Sequence, residues 1–78
     1  MPMLPPGYSA TRRRKLAELE RAMVTAELRL TQHLERLEWR REAGQGTAAA
    51  EILVRDAEKD LVRLHRRRHE LLRAKPDE

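Results

Sequence analysis

The residues of this chain whose types could do chemistry are three histidines and a large set of arginines. His65 and His69 stand four apart, a spacing that puts two imidazoles on one helix face and can hold a metal ion. The glutamate of an HExxH pattern is missing between them. Arg66, Arg67 and Arg68 are there instead and would repel a cation. In the fold derived below these histidines face Ala26 and Ala22, so no third ligand is expected beside them. The chain has no cysteine, which excludes thiolate-held zinc and iron–sulfur sites. His33 falls in a seam-edge slot of a helical pattern, where an imidazole brings pH sensitivity before it brings catalysis. We therefore expect no catalytic residues, no metal, no cofactor and no small-molecule substrate.

His69-Glu70-Leu71 resembles the start of a histidine-kinase phosphoacceptor box, a family of dimeric helical hairpins. In that family the histidine lies on the first helix and a proline follows it; here it lies late in the second helical pattern, without that proline. The arginines offer a different chemistry. Arg12, Arg13, Arg14 and Lys15 form one cluster; Arg66, Arg67, Arg68 and Arg73 form another, with Lys75 beyond it. Guanidinium groups match phosphate oxygens in bidentate pairs. These residues are thus a candidate patch for nucleic acid or another polyanion. No aromatic residues interleave them for base stacking, and no named DNA- or RNA-binding motif is present. Nucleic acid is a possible partner and not the favoured one. At pH 7 the net charge is +4, with 13 acids among 17 bases, which allows anionic partners without demanding them.

The elements that carry these residues are helical. Charged residues make up 38% of the 78 residues and aromatics 3%, a composition that suits long helices or coiled coils better than a globular core. The break in the pattern is Ala43-Gly44-Gln45-Gly46-Thr47. Glycine at 44 suits a helix C-terminus that needs φ > 0. Arg40 and Arg41 precede it at the negative end of the helix dipole. Thr47 can cap the next helix, which opens on Ala48, Ala49 and Ala50 with Glu51 behind them. The rival is one continuous helix, in which two interior glycines cost roughly 2 kcal/mol. We expect helix 1 over about 10–42, a turn at 43–47 and helix 2 over about 48–74. Residues 1–8 read as an extended proline-rich arm, in which Pro5-Pro6-Gly7-Tyr8 fits the P-P-x-Y pattern of WW-domain ligands. Residues 76–78 read as a tail. Ser9 or Thr11 can cap helix 1, although four cations then follow at its positive end.

Leu16, Leu19, Met23, Leu30, Leu34 and Leu37, with Ala26 between, recur at spacings of three and four, and Leu53, Val54, Leu61, Leu64 and Leu72, with Ala50, Ala57 and Leu71, line one side of the second helical pattern. Folding about the glycines sets Leu37 near Val54, Leu34 near Ala57, Leu30 near Leu61, Met23 near Arg68, and Leu19 near Leu72. Arg68 meeting Met23 is the exception among apolar pairs, and its guanidinium can reach Glu20 or Glu27. Val24, Leu28 and Trp39 form a weaker second stripe, a candidate face for a protein partner. The fold class is all-α: a long antiparallel helical hairpin, expected to associate into a four-helix bundle or coiled-coil assembly. Two helices leave one side of each seam wet, so a homo-oligomer is expected, a dimer first of all. The leading function is a non-enzymatic interaction module: a small regulator, adaptor or assembly factor that binds itself and another protein. The alternative is a small basic nucleic-acid-binding bundle, which resembles the plasmid-borne RNA-modulating hairpin dimers in architecture. No apolar run reaches the ~20 residues of a membrane span, and no secretory signal is visible, so the expected location is the cytoplasm.

Overall fold

The structure, a computed structural model, describes residues 9–73. The arm at 1–8, with its P-P-x-Y pattern, and the tail at 76–78 lie outside the described residues, as does Lys75. Two helices, α1 (Ala10–Glu42) and α2 (Ala48–Arg73), pack against each other as a hairpin. The molecule is a rod of 58 × 18 × 13 Å.

Ser9 caps α1: its hydroxyl accepts the Arg12 N–H at 3.1 Å, and its carbonyl accepts the Arg13 N–H at 3.1 Å. The first turn holds no acid to offset Arg12, Arg13 and Arg14 at the positive dipole end, so the cap is what satisfies the helix start there. Further along α1, the Thr25 and Thr31 hydroxyls donate back to the carbonyls of Arg21 and Glu27, which keeps both polar groups satisfied within the helix.

The end of α1 is a Schellman motif. Gly44 has φ +70°, its N–H donates to the Arg41 carbonyl at 3.1 Å, and the Gln45 N–H donates to the Arg40 carbonyl at 2.9 Å. Gly46 differs from the sequence reading that gave both glycines to the bend. Gly44 alone has positive φ among the described residues, and open space surrounds the place a Cβ would take at Gly46. Thr47 enters α2 through its carbonyl, which accepts the Glu51 N–H at 2.8 Å.

The buried hydrophobics are Leu16, Met23, Leu37, Ala50 and Val54, and none is below 2% exposure. Leu37, Ala50 and Val54 cluster just inside the turn, with Leu30 packed against them. Leu19, Leu30, Leu61, Leu64 and Leu72 are half-buried. Leu34 and Leu53, assigned to the seam by spacing, remain 46% and 42% exposed in the hairpin. Each stands off the buried line: Leu34 follows Leu30 by four, about 40° around the helix, and Leu53 precedes Val54 by one, about 100° around it. At about 100° per residue those offsets turn a side chain to the edge of the interface.

Candidate functional site

The seam between α1 and α2 has two edges. Ion pairs close one of them. Arg68 Nε donates to Glu20 Oε1 at 2.5 Å, with both side chains about one-third exposed, and Arg41 reaches Glu51 at 3.4 Å. Glu20 and Arg41 each lie four residues after a buried leucine, Leu16 and Leu37, and so occupy the same edge of α1. Of the two acids expected to receive Arg68, Glu20 is its partner.

The other edge is an open groove. Ala22 and Ala26 from α1 and Ala57 from α2 line its middle, with Leu53 and Leu64 beside them. Three alanines in neighbouring turns leave the helices too thinly clothed to fill the edge. His33 lines the groove near the turn. His33 thus shares the groove with Ala57, while Leu34 lies two heptads beyond Glu20, on the ion-paired edge. The rim on α2 is charged: Asp56 and Asp60, then Arg63 and Arg67. Asp60 and Arg63 meet at 3.6 Å along α2, with both side chains well exposed. Toward the open end the groove continues past Leu19 and Leu71, with Arg12, Lys15, Glu18 and Glu70 at its margins.

The groove therefore separates the candidate chemical residues in a way the register alone did not show. Leu64 and Arg67 line the groove beside Ala22, whereas His65 and His69 are exposed and not among its lining residues. A residue can be level with Ala22 along the rod and still point to another side. Among the described residues, no group of three or more histidines and carboxylates could hold a metal ion.

The basic clusters are dispersed for the same reason. Arg66, Arg67 and Arg68 are consecutive, so they project about 100° apart. Arg67 lines the groove and Arg68 is bound to Glu20, while Arg66 and Arg73 are exposed. Of the first cluster, Arg12 and Lys15 line the open end of the groove, while Arg13 and Arg14 are exposed. Acids stand among them: Glu18 and Glu70 border the cleft that Arg12, Lys15 and Arg67 line.

Val24, Leu28 and Trp39 are all exposed, at 66%, 58% and 60%. They do not form one compact patch. Leu28 and Trp39 lie about three turns apart, roughly 16 Å at 1.5 Å per residue. A shallow depression beside Trp39 is lined by Gln32, Glu35, Arg36 and Arg40, so the indole is bordered by polar groups. Ile52 and Val62 are exposed on α2. No helix of the described residues is long and apolar enough to cross a membrane. The chain matches no known protein family, no curated protein and no solved structure.

Proposed function

We propose that this chain is a non-enzymatic interaction module of the cytoplasm, which self-associates as a dimer into a four-helix bundle and serves another protein as a small regulator, adaptor or assembly factor. The observation that supports this reading is the ratio of covered to uncovered apolar surface. Among the described residues, five hydrophobic residues are buried, while seven large ones, Leu53 and Trp39 among them, are exposed. A two-helix rod without disulfides commonly keeps such surface from water by associating with another chain. Association does so directly, at about 25 cal/mol per Å² of apolar surface covered. Light scattering and helicity measured across a dilution series test the reading. It requires a mass above one chain and a melting temperature that rises with concentration. A concentration-independent single-chain species removes it. Trp39→Ala is expected to leave the oligomeric state intact; collapse of the oligomer would make Trp39 part of the association surface.

A second reading, a small basic nucleic-acid binder, draws on Arg12, Lys15 and Arg67 lining the groove toward one end of the rod. It requires measurable RNA or DNA affinity at low salt that falls steeply as salt rises and is lost when Arg12, Arg13 and Arg14 become alanine. No binding at low salt ends it.

A further inference from the structure

Resting on the self-association reading above, we propose that the open groove is filled by the same groove of a second copy, packed antiparallel about a two-fold axis that crosses α2 between Leu61 and Val62. The charge order along the α2 rim carries this. Asp56, Asp60, Arg63 and Arg67 recur at spacings of four, three and four, so they form one stripe along the helix, and all four are exposed. Two acids are followed by two bases. Asp60 and Arg63 lie equally far on either side of the Leu61–Val62 step, and so do Asp56 and Arg67. In an antiparallel pair about that step, Asp60 of one copy meets Arg63 of the other, and Asp56 meets Arg67. Symmetry makes each contact twice, as an isologous interface requires.

The same stripe rejects the alternatives. A parallel dimer would set Asp56 on Asp56 and Arg67 on Arg67. An antiparallel pair displaced by one heptad toward the turn would oppose Asp56 and Asp60. Displacement the other way would oppose Arg63 and Arg67, with Asp60 against Glu70. Like charges in these places select against each wrong register. Ala22, Ala26 and Ala57 permit the close helix approach that such packing needs. The edge bridged by Glu20–Arg68 and Arg41–Glu51 lies away from this stripe and stays outward.

Two charge variants test the pairing: Asp56→Arg with Asp60→Arg, which makes the stripe wholly basic, and Arg63→Glu with Arg67→Glu, which makes it wholly acidic. In sedimentation, each alone is expected to dimerise at least about tenfold more weakly than the natural chain, and an equimolar mixture is expected to recover dimer. If the natural chain dimerises and both variants match it, the groove pairing is wrong while self-association stands. If the natural chain stays monomeric to about 100 µM, self-association falls and the pairing falls with it. Should either variant lose helicity, cross-linking decides. The protein has no cysteine among its described residues, so Asp60→Cys and Arg63→Cys chains can be mixed under oxidation. The mixed disulfide is expected in excess over both homotypic ones, and a statistical yield overturns the proposal.

Discussion

The two edges of the seam are built from the same pair of helices and differ in what their side chains can reach. On one edge, long side chains span the gap: Arg68 to Glu20 and Arg41 to Glu51. On the other, alanines leave a cleft, and the rim charges Asp60 and Arg63 pair along α2 rather than across to α1. The first edge is bridged within one chain, with Leu34 still 46% exposed along it. The second is unfinished, and its charges remain available to another molecule. Side-chain length at a few positions, more than overall hydrophobicity, thus decides which side of this two-helix rod is bridged by ion pairs and which stays open as a cleft.

The difference between the two edges is lost most completely if the floor they share is removed. Leu37→Ala deletes the largest side chain of the cluster inside the turn. It is expected to lower stability by about 2–5 kcal/mol, seen as loss of helicity in thermal and urea melts. Next in size is the turn that sets one helix against the other. Gly44→Ala places a Cβ at φ +70° and is expected to cost about 1–2 kcal/mol. Gly46→Ala, in open space without that φ, is expected to be neutral or slightly stabilising, by up to about 1 kcal/mol. Equal effects at the two glycines would mean that the Schellman geometry does not govern the bend.

The edges themselves are separated by smaller effects. Glu20→Gln on the closed edge is expected to cost about 0.2–1 kcal/mol, with the loss diminishing in high salt, because the pair is partly solvated. Leu53→Ser on the open edge is expected to lower the stability of the single hairpin by about 1 kcal/mol, less than Leu37→Ala, since 42% of the leucine is exposed. It should also weaken self-association in sedimentation. If Leu53→Ser leaves association untouched, the two edges have been assigned the wrong way round.

Much of the hairpin was legible because its signals are local. Gly44, the arginines before it and the alanines after it state a stop and a start within a few residues, and the seam leucines recur at helical spacing over both arms. The register was legible as well, to the extent that Arg68 was expected near Glu20 and is bound to it. The sides of the seam were less readable. Spacing assigned Leu34 and Leu53 to the seam together with the buried Leu37 and Val54, although a rotation of roughly 40–100° about the helix axis carries a side chain from core to edge. It also set His65 and His69 against the alanines that Leu64 and Arg67 accompany. The acidic-then-basic stripe from Asp56 to Arg67 stands in the sequence at helical spacing. It acquires meaning only once those residues are known to border an open groove.

By itself, the sequence determined two long amphipathic helices, the place where the chain turns and the approximate level at which their residues meet. Those depend on backbone conformational preferences and on the apolar period, both of which act over a few neighbouring residues. The rotation of each helix about its own axis was decided by tertiary packing, and with it which edge is closed by ion pairs and which remains a cleft. That rotation follows from the joint fit of side chains from two distant segments, where the reach of Arg68 and the shortness of Ala22, Ala26 and Ala57 count together.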